Sequence, residues 1–121
     1  MPASTRAIEL ARAAADAASD KLAEDVVALD VTGQLALTDA FVIASAPNER
    51  QVGAIVDAVA ERLLTVSSKT LRREGVREGR WVLLDFGDII VHIMHAEDRA
   101  FYELERLWKD CPSIALDSSI V

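Results

Sequence analysis

The sequence predicts an α/β protein, a mixed β-sheet with helices packed on it. Three observations carry that expectation. In WVLLDFGDIIVHIM, residues 81–94, apolar residues alternate on both sides of a Gly-Asp pair, the pattern of a β-hairpin with a two-residue turn. Segments 5–21, 49–66 and 97–110 repeat apolar residues at helical spacing. A strand-like run precedes the middle helix and the hairpin follows it, a strand–helix–strand crossover beside a hairpin.

The elements follow in order. Residues 5–21 read as a helix with Ile8, Ala11, Ala15, Ala18 and Leu22 on one stripe. Most of that stripe is alanine, so it packs closely and buries little area. DVVALDV, 25–31, is a short β-branched run and reads as a strand. TGQLALT, 32–38, connects it to DAFVIAS, 39–45, which is apolar on both parities and so suits the middle of a sheet. Pro47 stops that strand, and Asn48 with Gln51 three residues later gives a capping-box pattern for the helix 49–66. Val52, Ile55, Val56, Val59 and Leu63 form its buried stripe. The polar segment 67–80 is a loop with room for a short edge strand near 70–73, ahead of the hairpin. Glu97 and Asp98 open the last helix, where carboxylates favour the helix dipole. Ala100, Phe101, Leu104, Leu107 and Trp108 line its apolar stripe, and Pro112 ends it. The expected order is α-β-β-α-(β)-β-β-α, one domain over 1–110 with 111–121 as a flexible tail.

The totals fit this plan. A chain of 121 residues with 51% hydrophobic content can bury a core without staples. Its single cysteine, Cys111, excludes an internal disulfide and a multi-cysteine metal site. ARAAADAASD resembles a signal-peptide cleavage region, but Glu9, Arg12 and Asp16 interrupt any apolar core, and no run is long enough to span a membrane. A reducing cytoplasm is the expected setting. The net charge of −7, with no basic cluster beyond Arg72, Arg73, Arg77 and Arg80, disfavours direct nucleic-acid binding. An acidic surface suits a basic protein partner. Acidity also simply keeps a chain soluble.

Counting outward from Gly87-Asp88 pairs Phe86 with Ile89, Asp85 with Ile90, Leu84 with Val91, Leu83 with His92, Val82 with Ile93 and Trp81 with Met94. Val82, Leu84, Phe86, Ile89, Val91 and Ile93 then share an apolar face that must be core. The other face holds Trp81, Leu83, Asp85, Ile90, His92 and Met94, too apolar for plain solvent and too polar for unattended core. Either another element covers it, with Asp85 and His92 satisfying each other or the backbone, or it awaits a partner.

No catalytic signature appears. His92 and His95, spaced H-x-x-H on a strand, point to opposite faces and do not make a metal pair. Asp88 belongs to the turn, where Asp is common for conformational reasons. Asp30, Asp39 and Asp85 lie in or beside strands, but no strand carries the alternating carboxylate pair of a compact Mg²⁺ site. Arg50 and Gln51 in a helix's first turn suit an anion, or a solvated helix edge. No cofactor and no metal are expected, and Cys111 reads as a structural thiol.

The stretches ALDVTGQLALTDAFVIAS, NERQV, EGRWVLLDFGDIIVHIMH and FYELERLW resemble the ribosomal silencing factor family (RsfS, also called the Iojap family), in unbroken order over residues 5–110. Asp30, Asp39, Phe41, Ser45, Arg50 and Gln51 match its first half, and Trp81, Asp85, Gly87, Asp88, His92, Tyr102, Glu105 and Trp108 its second. The resemblance implies a nucleotidyltransferase-like topology without a working catalytic set. It implies binding to the large ribosomal subunit through its fourteenth protein, steric block of small-subunit joining, and so repression of translation. It also implies a homodimer in isolation. Packing or turn geometry accounts for Phe41, Gly87 and Trp108. Trp81, Asp85, His92, Met94, Tyr102 and Glu105 are the expected partner contacts, with little direct nucleic-acid contact. Two departures stand out. Ala40 replaces a usual tyrosine, and Ala46-Pro47 replaces a glycine-containing turn. Pro47 lacks a backbone donor where a nucleotidyltransferase approaches phosphates, which counts against an enzyme that kept nucleotide binding. A homodimer of other purpose is the second alternative.

Overall fold

The computed structural model describes residues 2–102, 106 and 108–116, with only the backbone for 100–102. The elements are α1 (Thr5–Asp20), β1 (Glu24–Asp30), β2 (Ala40–Ala46), α2 (Glu49–Thr65), β3 (Arg72–Glu74), β4 (Trp81–Asp85), β5 (Ile89–His95) and α3 (Ala96–Tyr102). They form a five-stranded sheet in the order β1-β2-β5-β4-β3, with β2 and β5 parallel and every other pair antiparallel. This is the expected mixed α/β architecture.

The hairpin has the expected register from Trp81↔Met94 to Asp85↔Ile90, and the Phe86 amide donates to the Ile89 carbonyl at 3.0 Å. Gly87 turns with φ +87°, a conformation that glycine adopts without a Cβ penalty. At Gly75, φ is +78° and an added Cβ would overlap the Trp81 carbonyl oxygen, so only glycine lets the 75–79 turn lie against β4.

The face of Val82, Leu84, Ile89, Val91 and Ile93 is fully buried beneath α1 and α2, together with Ala28, Ala40, Val42 and Ala44 from β1 and β2. α2 buries Val52, Ile55, Val56, Val59 and Leu63, the stripe its spacing predicts. On α1 the expected stripe holds at Ala11, Ala15 and Ala18, which are buried, but the buried face widens to Ala7, Leu10, Ala14 and Ala17, while Ile8 is half-buried and Leu22 lies beyond the helix and is 78% exposed. Small side chains let α1 approach α2 and the sheet closely, and that contact outweighs the larger apolar residues at the stripe's margins.

Both long helices are capped. Ser4 Oγ accepts from the Ala7 amide at 3.0 Å, and Asn48 Oδ1 accepts from the Gln51 amide at 2.8 Å. Gln51 does not return the bond to the Asn48 amide as a capping box would. Its Nε2 donates to the carbonyls of Lys21 and Leu22 at 3.0 and 3.3 Å, closing the otherwise open end of α1.

The C-terminal expectations need two corrections. Residues 108–110 form turns rather than the last turn of a helix reaching Asp110; residues 103–105 and 107 lie outside the described residues. The turns redirect the chain onto the free edge of β1. There the Asp30 amide donates to the Pro112 carbonyl at 2.8 Å and the Ile114 amide to the Ala28 carbonyl at 2.9 Å. Leu29 bridges Ser113, Arg12 Nε donates to the Ala115 carbonyl at 2.9 Å, and Cys111 is buried. Residues 111–116 are therefore docked, not a loose tail; residues 117–121 lie outside the described residues.

Candidate interaction face

The second face of the sheet collects Val27 and Leu29 from β1, Phe41, Ile43 and Ser45 from β2, Ile90, His92 and Met94 from β5, and Trp81, Leu83 and Asp85 from β4. Its two halves differ. Over β1, β2 and the end of β5 a small apolar cluster of Leu29, Val31, Phe41, Ile43, Met94 and Cys111 is buried, with Leu35 and Trp108 packed against it and Trp81 and Ile90 at its margin. Over β4 and β5, Trp81, Leu83, Asp85 and Ile90 remain half-exposed. Both readings of the mixed face thus hold in part: the C-terminal segment covers one half and leaves the other accessible.

His92 sits where the halves meet. Its ring lies 4.8 Å from that of Phe41 in an edge-to-face arrangement, and Phe41 meets Trp108 in the same manner at 5.0 Å. The Trp81 indole N–H donates to His92 Nδ1 at 3.1 Å. His92 Nε2 is buried with no hydrogen-bond partner among the described residues. Burial pushes the His92 pKa down to about 4, so the ring is neutral at pH 7.

Asp85 does not pair with His92. Its Oδ1 accepts from the Gly87 amide at 2.8 Å, fixing the turn, and its Oδ2 lies 3.8 Å from Arg72. Met94, expected as an apolar contact, is fully buried and forms the floor of the face rather than its surface. The side chain of Tyr102, and Glu105 altogether, lie outside the described residues. Leu83 and Ile90 belong to the open half although they were not among the expected contacts; strand alternation alone puts them there.

Two arginines that composition could only count as charge hold α3 at the end of this face. Arg80 bonds Asp98 through Nη2 at 2.8 Å and Nε at 3.2 Å, and also reaches Glu97 at 3.2 Å and Glu49 at 3.3 Å. That contact holds the Asp98 carboxyl below its ordinary value and raises Arg80. Arg99, buried, reaches Ser45 Oγ at 3.2 Å and the Glu24 carbonyl at 3.4 Å.

The other singled-out carboxylates are engaged at the N-terminus. Asp30 accepts from the amides of Ala3 and Thr32 and from the Thr32 hydroxyl, and Asp39 accepts from the Ser4 amide. Burial raises the Asp30 pKa, but the hydrogen bonds outweigh it and hold the carboxyl below its ordinary value. Burial pushes the Cys111 thiol up, away from the reactive thiolate. Among the described residues no group of three His, Cys, Asp or Glu side chains gathers as a metal set, and no helix is long and apolar enough to cross a membrane.

Fold and face define a small α/β protein with helices α1 and α2 on one side of its sheet and a half-covered aromatic surface on the other. The comparisons with known proteins make the class specific. The family model described as "Ribosomal silencing factor during starvation" matches residues 4–120. A ribosomal silencing factor RsfS of Halalkalibacterium halodurans is 40% identical over 93% of this chain and 96% of its own length. A crystal structure of a Bacillus halodurans protein superimposes with a TM-score of 0.78 at 40% identity, covering 89% of this chain and 98% of the other. One from Chromobacterium violaceum gives 0.80 at 32% identity, covering 91% and 92%. A mouse relative named "Mitochondrial assembly of ribosomal large subunit protein 1" is 34% identical over 71% of this chain and 39% of its own length. The chain belongs to the ribosomal silencing factor (RsfS) family.

Proposed function

We propose that this protein binds the large ribosomal subunit through its fourteenth protein, occludes the surface that the small subunit would join, and so represses translation without bond chemistry. The observation that carries the reading is the open half of the second sheet face, where Trp81, Leu83, Asp85 and Ile90 stay half-exposed on a rigid pair of strands. A half-buried tryptophan amid apolar neighbours is the composition of an interface anchor. Asp85 and the net charge of −7 complement a basic partner. Trp81, Asp85 and His92 form the centre and Met94 its floor; Tyr102 and Glu105 are kept as expected contacts from the resemblance. The family membership, and the large-subunit name of the mouse relative, support the choice of partner.

The proposal places the protein in the cytoplasm, with no cofactor, and takes the nucleotidyltransferase-like topology as a scaffold rather than an enzyme. The carboxylates that a metal-dependent transfer would need are engaged elsewhere: Asp30 and Asp39 hold the N-terminus, and Asp85 holds its own turn. The proposal includes a homodimer in isolation; if its interface shares residues with this face, dimerisation and subunit binding compete.

The test is co-sedimentation with purified large subunits. Wild type pellets with the subunits, while folded Trp81→Ala and Glu105→Ala variants lose at least about tenfold in affinity, as for interface anchors. Retention by both variants would move the site. No binding by the wild type at sub-micromolar subunit would sink the function.

A further inference from the structure

We propose that His92 is the specificity-determining hydrogen-bond donor of this face, its Nε2–H meeting a main-chain carbonyl or hydroxyl oxygen of the docked ribosomal protein. The inference rests on the partner reading above and adds the chemistry of recognition to it.

The tautomer is fixed by geometry. Trp81 Nε1–H is donor only and lies 3.1 Å from His92 Nδ1, so Nδ1 must accept and the single ring proton sits on Nε2. The ring does not escape this by charging, because burial depresses its pKa to about 4. The result is an obligate N–H donor on a side chain 6% exposed, without an acceptor among the described residues. Buried donors are almost always satisfied, and an orphan calls for a cause. The edge-to-face contact with Phe41 gives at most a weak substitute. An apolar ring would fill the same space without the Nε2 donor, but it would also remove the acceptor of the Trp81 indole N–H, so Nδ1 alone accounts for half of the imidazole and Nε2 is the half left to explain.

The location points to a partner rather than to an internal acceptor. His92 stands at the border of the half-exposed patch, directly across from Leu83 and hydrogen-bonded to half-exposed Trp81. Binding then requires the side chains over Nε2 to part as the partner docks, with the Trp81 bond to Nδ1 kept. The acceptor is a neutral oxygen, since a carboxylate would enter beside Asp85 on the same face of an acidic protein. A site built to donate one hydrogen bond rejects surfaces that cannot accept it, because the unmet donor is then sealed from water.

The experiment compares wild type, His92→Phe and His92→Gln in co-sedimentation with purified large subunits, alongside thermal unfolding and sedimentation velocity of the chain alone. Phenylalanine keeps a planar ring and removes the N–H. Glutamine offers an N–H at the distance of Nε2 and a carbonyl for the Trp81 indole. His92→Phe is expected to melt within about 4 °C of wild type yet bind at least about tenfold more weakly, with His92→Gln recovering most of the loss. A purely structural role would lower melting temperature and binding together and would show no rescue. Equal binding by His92→Phe, or a loss matched by its unfolded fraction, would overturn the inference while leaving the function intact. Should His92→Phe fail to fold, binding by folded His92→Gln within about threefold of wild type supports the donor, and its loss overturns it. No wild-type binding sinks the function and the inference with it. A His92→Phe effect confined to self-association would make the acceptor a second copy, against the proposal.

Discussion

His92 also carries a stability signature. Its folded pKa of about 4 lies below the ordinary 6.5, so the unfolded chain binds a proton that the folded chain refuses. The contribution is complete above pH 6.5 and is lost as pH falls from 6.5 toward 4. A shift of this size corresponds to a loss on the order of 3 kcal/mol across that window. Asp30 and Asp98 act in a different range. Their folded values are depressed, so their contributions hold above the ordinary value of 3.8 and disappear only as pH falls below it. Urea unfolding between pH 7 and 4.5 should show wild-type stability declining and His92→Phe declining less. Parallel slopes for the two proteins would contradict the buried neutral imidazole. Little of this was readable in advance. Alternation put His92 on the right face, but the identity of its partner required knowing that Trp81, eleven residues earlier, stands close enough to donate.

The elements show where local sequence stops deciding. The Gly-Asp turn and the alternation around it fix the hairpin register, because a slip of one residue would turn Leu84, Val91 and Ile93 out of the core. α2 was equally readable, since its large apolar residues recur at one spacing only. On α1 the spacing finds Ala11, Ala15 and Ala18 but not the width of the buried face, because seven alanines spread over its sixteen residues and hydrophobicity alone cannot choose among them. The Asn48 cap is local and was found, while Gln51 serves the end of α1, a tertiary arrangement that no spacing announces. α3 is the extreme case. Its described part, Ala96–Tyr102, is held to the sheet by side chains from other elements. Arg80 grips its first turn through Asp98 and Glu97, and Arg99 hooks it to Ser45. Arg80→Ala should therefore speed amide exchange in α3 and leave β2 protected, read by hydrogen–deuterium exchange. It should also weaken subunit binding, because the helix at the end of the proposed face loses its anchor. Unchanged exchange in α3 would show that Arg99 alone suffices.

For the whole molecule, the sheet is clad unequally, and the segment after α3 completes it. α1 and α2 bury one face, whereas the other relies on residues 108–116 to cover the β1–β2 half and to pair the free edge of β1. Composition suggested a tail there because nothing in CPSIALDSSIV repeats at a helical or strand period for long. Its order comes from the edge it meets, an unpaired strand that would otherwise invite pairing with another chain. The same segment borders the proposed site, since Trp108 packs edge-on to Phe41 and Cys111 belongs to the cluster against which half-exposed Trp81 packs. Truncation after Asp110 removes two main-chain hydrogen bonds to β1, the Arg12 contact to Ala115, and the packing of Cys111, Ile114 and Leu116. After the entropy of ordering six residues is set against these gains, the net loss should be about 2 kcal/mol. The urea midpoint should fall accordingly, and the uncovered edge of β1 should add concentration-dependent association, visible by sedimentation velocity. An unchanged midpoint would mean that the segment only rests on the sheet. A lowered midpoint with subunit binding intact would separate the two halves of the face, the covered half maintaining the fold and the open half meeting the ribosome.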